Sequence, residues 1–238
     1  MEIVPAINAE NITEIQEKLA LVEPHVAWAH LDVADGTFTP NVLWHNPLEL
    51  SLIKTPLKIE AHLMLSDIDN KIMPWLARPE IARVIFHAET AQDPLKIIAA
   101  CVTAGKEVGL SLKPDASWET LQPYSAQINL VQILAVPPGR AGQDFDEHSL
   151  EKINAVRKNY PSCIIEVDGG MRVGTARAAV QAGADLIVAA SAIFGNKDRK
   201  DKSFVASSLG RDVSELTSRS SLDAIKQAID NLKNDASA

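Results

Sequence analysis

The segment Val26-Ala27-Trp28-Ala29-His30-Leu31-Asp32-Val33-Ala34-Asp35-Gly36 is a short apolar run that closes on an Asp-Gly turn signal. Residues 26–33 read as a strand, and residues two apart on a strand face the same side. His30 and Asp32 therefore point together, into the mouth of a barrel if Leu31 and Val33 pack outward under helices. Similar apolar, β-branched runs occur at residues 2–6, 57–62, 83–87, 107–112, 130–136, 163–167 and 185–189. Between them lie stretches with helical spacing. These are marked by Ile12, Ile15, Leu19 and Leu21; by Leu95, Ile97, Ile98 and Cys101; by Leu150, Ile153, Val156 and Tyr160; and by Val173, Ala176, Ala179 and Val180. Near-continuous apolar strands separated by helices are parallel strands covered on the outside. Eight such units in 238 residues predict an α/β fold, the (β/α)8 TIM barrel. A doubly wound open sheet fits less well, because Pro5-Ala6-Ile7-Asn8 follows the first strand where a Gly-rich turn would be needed. No linker divides the chain, so residues 1–238 are expected to form one barrel domain. An irregular excursion, rich in Lys, Asp and Ser, is expected at about 195–219, before a last helix over 222–232.

Composition narrows the function classes. Hydrophobic residues make up 46% and charged residues 23% of the chain, which suits a globular protein and excludes a disordered one. The two cysteines, Cys101 and Cys163, fall in a helix-like and a strand-like segment, as expected for a reducing, cytoplasmic setting rather than a disulfide scaffold. The formal charge is -8, and the one basic run, Lys197-Asp198-Arg199-Lys200-Asp201-Lys202, carries its own acids. Nucleic-acid binding is therefore not expected. Met1-Glu2-Ile3-Val4-Pro5 does not read as a secretion signal. No apolar run approaches the ~18 residues of a membrane span.

In a TIM barrel the chemistry sits at the carboxyl ends of the strands. Three of those ends are polar: His30 and Asp32 on the second, Glu60-Ala61-His62-Leu63-Met64 on the third, and Ile165-Glu166-Val167-Asp168-Gly169-Gly170 on the seventh. Together they offer imidazoles and carboxylates suited to a divalent metal. Each piece alone has a plainer reading, as a hydrogen-bonded histidine or a turn. Glycines in Pro137-Pro138-Gly139-Arg140-Ala141-Gly142-Gln143 and in Asp168-Gly169-Gly170, with Ala189-Ala190-Ser191-Ala192 after the eighth strand, would let backbone N–H groups approach a phosphate. The same glycines could serve turn geometry alone.

As a set, six segments resemble the ribulose-phosphate 3-epimerase family. They are His30-Leu31-Asp32-Val33-Ala34-Asp35-Gly36-Thr37-Phe38-Thr39-Pro40-Asn41, Ala61-His62-Leu63-Met64, Phe86-His87-Ala88-Glu89, Gly109-Leu110-Ser111-Leu112-Lys113-Pro114, Pro138-Gly139-Arg140-Ala141-Gly142-Gln143 and Ile165-Glu166-Val167-Asp168-Gly169-Gly170. The resemblance implies one divalent metal ion (zinc, iron, manganese or cobalt) on His30, Asp32, His62 and Asp168, with Asp32 and Asp168 doubling as the acid/base pair. It implies a sugar phosphate held by Met64, Gly139, Arg140, Ala141, Gly142, Gly169, Gly170, Ala190 and Ser191, and a homo-oligomer. The implied reaction interconverts D-ribulose 5-phosphate and D-xylulose 5-phosphate through an enediolate. The same mechanism on another ketose phosphate, such as a ketohexose 6-phosphate, or a non-catalytic sugar-phosphate binder, are the alternatives. The chain departs from the family pattern at Ala6 (usually Ser), Ala34 and Leu134 (usually Met), Arg140 and Ala141 (usually Phe and Gly) and Ala190 (usually Gly). Arg140 adds donors suited to an anion, and is expected to compensate for a poorer backbone cradle at Ala190.

Overall fold

The structure is a computed structural model that describes residues 1–139, 142–195 and 219–237. Eight parallel strands close into a barrel in chain order: β1 (Glu2–Ile7), β2 (Trp28–Ala34), β3 (Lys58–Met64), β4 (Ile81–His87), β5 (Glu107–Leu112), β6 (Leu130–Leu134), β7 (Ile164–Asp168) and β8 (Leu186–Ala189). Closure leaves no free sheet edge. The outward side chains, among them Leu31 and Val33 on β2, Ala61 and Leu63 on β3, and Ile165 and Val167 on β7, join the layer under the helices. Each large aliphatic side chain buried there contributes about 1.5–3 kcal/mol. Both faces of every strand are covered, which is why the strands read as nearly continuous apolar runs.

The helices are α1 (Ile12–Val22), α2 (Ile68–Lys71), α3 (Met73–Leu76), α4 (Pro94–Thr103), α5 (His148–Asn159), α6 (Thr175–Ala182), α7 (Ser191–Phe194) and α8 (Arg219–Ala236). Asn11 starts α1 by accepting a bond from the Glu14 N–H at 3.0 Å, and Asp93 does the same for Lys96 in α4, followed by Pro94 at the first helical position. The return segments after β2 and β5 are short 3-10 segments, Pro47–Leu52 and Trp118–Leu121, instead of α-helices. Prolines at 40, 47 and 56 and at 114 and 123 break both segments. Two apolar residues with helical spacing lie outside the core: Leu95 and Val173 are exposed, and Gly174 at φ +95° sets the start of α6 two residues beyond Val173.

The last helix closes the ring, packing on α1 and α6 through buried Ile225, Ile229 and Leu232. Residues 196–218 of the expected excursion, and Arg140 and Ala141, lie outside the described residues. Cys101 and Cys163 are free thiols, the first buried and the second half-buried. No helix among the described residues is long and apolar enough to cross a membrane.

Candidate active site

Strand pairing sets the site. Asp32 lies opposite His62 across β2 and β3, one step above His30 opposite Glu60. On the far wall Asp168 of β7 lies opposite Leu134 and Val188. Because side chains alternate, His30, Asp32, His62 and Asp168 all turn inward, and one potential ligand atom from each lies within 4.8 Å of the others. The Asp32 Oδ1 oxygen is 3.3 Å from His30 Nε2 and 3.1 Å from His62 Nδ1. His62 Nε2 lies 3.0 Å from His87 Nε2, so one of the two rings donates to the other. The Asn8 amide, just beyond β1, donates to the other Asp32 oxygen.

The electrostatics separate the two carboxylates. Burial works to raise Asp32, but bonds from His30 and His62 outweigh it and hold the carboxyl well below its usual range. Asp168 has no such donors. Burial, then the charge of Asp32, push it up to about 7. Burial likewise works to lower the His30 imidazole, but Asp32 and Glu60 hold it well above its ordinary value. His62 and His87 are lowered, chiefly by burial.

These residues fit a divalent ion. The donor set is two imidazole nitrogens and two carboxylates, gathered within 4.8 Å of one another.

Above the four side chains opens a cleft of about 520 Å³. Met64, Gly139, Gly142, Gly169, Gly170, Ala190 and Ser191 all line it, beside Asn8, Leu134, Val136 and Val188. Of the residues expected there, Arg140 and Ala141 are the two outside the described part of the chain. Gly169 sits at φ +104°, and a Cβ on it would come within 2.4 Å of Val136 Cγ2. A Cβ on Gly170, at φ +67°, would meet the Phe145 backbone nitrogen at 2.5 Å. Both positions need glycine, for the turn and for close packing.

Sequence reading does not single out Asn8, His87, Glu60, Arg83 or Glu166 as parts of the site. The signal was present as period-two continuation: Val4, Ala6 and Asn8 share one face, as do Glu60 and His62, Ile85 and His87, and Glu166 and Asp168. Of the departures from the family pattern, Ala6 is buried inside the barrel with Val4 and Val188, and Leu134 and Ala190 line the cleft itself.

Known proteins place this arrangement. A rice protein named ribulose-phosphate 3-epimerase, cytoplasmic isoform, is 38% identical over 173 residues, covering 71% of this chain and 75% of its own length. The ribulose-phosphate 3-epimerases of Mycobacterium bovis and Bacillus subtilis are 32% and 31% identical, over 82% and 84% of this chain and 87% and 95% of their own. Among solved structures, the 3-hexulose-6-phosphate synthase of Salmonella typhimurium superposes with a TM-score of 0.64 at 16% identity, covering 96% of this chain and 98% of that one. That likeness speaks to the barrel alone. The ribulose-phosphate 3 epimerase family pattern matches residues 2–194, from the first strand to the end of α7. The barrel, its polar mouth and this match agree, and the chain belongs to the ribulose-phosphate 3-epimerase family of isomerases.

Proposed function

We propose that the chain interconverts D-ribulose 5-phosphate and D-xylulose 5-phosphate by moving the proton on carbon 3. In this reading a divalent ion sits on His30, Asp32, His62 and Asp168, and Asp32 and Asp168 exchange the proton. The observation that carries it is a pair of carboxylates facing one cleft, Asp32 held well below its usual range and Asp168 pushed up to about 7. Two acids set apart in this way are fitted to opposite roles.

Carbon 3 lies beside the ketose carbonyl, so its proton is acidic enough to be taken by a positioned carboxylate. One carboxylate removes that proton from one face and leaves an enediolate. The other delivers a proton to the opposite face, which inverts the centre with no net gain or loss of protons or electrons. A single base would tend to return the proton to the face it left. A bound divalent cation would supply positive charge to the oxygens beside the reacting carbon. The Asn8 amide holds Asp32 in place, and Met64, Leu134 and Val136 give the cleft an apolar wall that limits water. The backbone at Gly169, Gly170, Ala190 and Ser191 would receive the phosphate, in line with the usual phosphate position of such barrels.

A substrate panel tests this with purified protein of defined metal content. D-ribulose 5-phosphate should turn over faster than a ketohexose 6-phosphate and far faster than unphosphorylated ribulose. A clear preference for the hexulose phosphate would reassign the substrate. A preference for the unphosphorylated sugar would remove the phosphate reading.

A further inference from the structure

Below the ligand atoms the barrel interior is charged, where such barrels usually pack Val, Ile and Leu. His30, Glu60, Arg83 and Glu107 lie directly opposite one another on β2, β3, β4 and β5. The His30 Nδ1 atom lies 2.8 Å from Glu60 Oε1, and neither side chain has any exposed surface. The other Glu60 oxygen accepts from Arg83 Nη1 at 2.6 Å. Arg83 is held in turn: its Nε and Nη2 donate to Glu107 at 2.9 and 2.6 Å, and its guanidinium lies 4.2 Å from the centre of the Trp28 ring. Both Glu60 oxygens are thus committed, and the carboxylate cannot turn to ligate an ion itself.

We propose that Glu60, clamped by Arg83, is the positioning residue of the metal centre: it accepts the hydrogen bond of the His30 Nδ1–H and so leaves Nε2 as the nitrogen offered to the ion. This builds on the metal reading of the preceding section. A histidine has two nitrogens, and the partner of one decides which is left to bind. Glu166 Oε1 also lies near His30 Nδ1, but at 3.8 Å, and it already accepts from Gln132 Nε2 at 3.1 Å. The bond to His30 therefore belongs to Glu60. His30, Glu60 and Glu166 are close enough to suggest a cage for a second ion. His30 and Arg83 take the two Glu60 oxygens and Gln132 takes Glu166 Oε1, which leaves Glu166 Oε2 as a single open oxygen, too few to cage an ion, so this layer supports the upper site.

Cobalt(II) binding to the full-length, metal-free protein tests the role, read by visible absorption and by competition with a chelator. Wild type should bind one equivalent. Glu60→Gln should bind about 10- to 100-fold more weakly, the usual cost of losing such a partner, with an altered absorption band. Glu60→Asp keeps the charge facing Arg83 and should recover part of the affinity. A purely structural role would change thermal stability and leave the cobalt band and affinity as in wild type. Wild-type affinity and spectrum in Glu60→Gln would overturn the proposal alone. Failure of wild type to bind cobalt would overturn the metal reading and this proposal with it. If Glu60→Gln does not fold, Glu60→Asp decides: a severalfold loss supports the role, and an unchanged affinity overturns it.

Discussion

Asp32 sits among three donor groups, the rings of His30 and His62 and the amide of Asn8, whereas Asp168 faces Asp32 across the mouth without comparable donors. That difference in surroundings, not in residue type, is what suits the two acids to the opposite roles proposed for them. Asp32→Asn and Asp168→Asn should each lower turnover by at least about 10², the lower range for loss of an acid or base. Metal content must be measured beside the rate, because both side chains belong to the proposed ligand set. Near-normal turnover in either variant with metal bound would remove that residue from the proton path. Gly169 offers a stability test at the same scale. Gly169→Ala forces a side chain into φ +104° and against Val136, so unfolding in urea should show a loss of about 1–3 kcal/mol. An unchanged midpoint would mean that the turn relaxes.

Among the elements, α6 has Gly174 at its N-cap, with no side chain to cap the helix, and α8 supplies the cap from a distance. The Asp235 carboxylate accepts from the Gly174 N–H at 2.6 Å and the Arg177 N–H at 3.3 Å, and pairs with Arg177 Nη2 at 2.7 Å. Asp235→Ala should lower unfolding stability by about 1–3 kcal/mol, a charged cap having been lost. Burial works to raise Asp235, but the bonds from Gly174 and Arg177 hold it below its ordinary value. Its contribution is therefore present above an unfolded value of about 3.9 and lost as pH falls through the lower folded value. The stability gap between wild type and Asp235→Ala should narrow as pH is lowered through about 4; a gap that widens would contradict the assignment.

The elements were unevenly legible in the sequence. Strands showed because both faces of the barrel wall are buried, and α8 showed through Ile225, Ile229 and Leu232. The 3-10 segments after β2 and β5 could not be placed by periodicity, since four to six residues are too few to show one. The cap between α8 and α6 was equally hidden, because it is made by residues far apart in the chain.

For the whole molecule, closure of the barrel is what turns scattered strand ends into a site. His30, Asp32 and His62 could be paired from neighbouring strands, and Asp168 joined them because β7 ends at the same height. Asn8, Glu60 and Arg83 stayed hidden because a lone polar residue on a strand has many ordinary roles, and only the closed register shows what each one touches. Their arrangement makes the interior a column of charge beneath a cleft, with helices outside and the candidate reacting groups at one end. Proton transfer at carbon 3 is the chemistry that this column is proposed to serve. The decisive measurement is solvent deuterium uptake at carbon 3 of D-ribulose 5-phosphate, followed by NMR in D2O with metal-loaded protein. The expected result is deuterium at carbon 3 of the D-xylulose 5-phosphate formed, as product appears, with both the label and the product lost in Asp168→Asn. Tight binding of the sugar phosphate by the metal-loaded wild type without any carbon-3 exchange would contradict it.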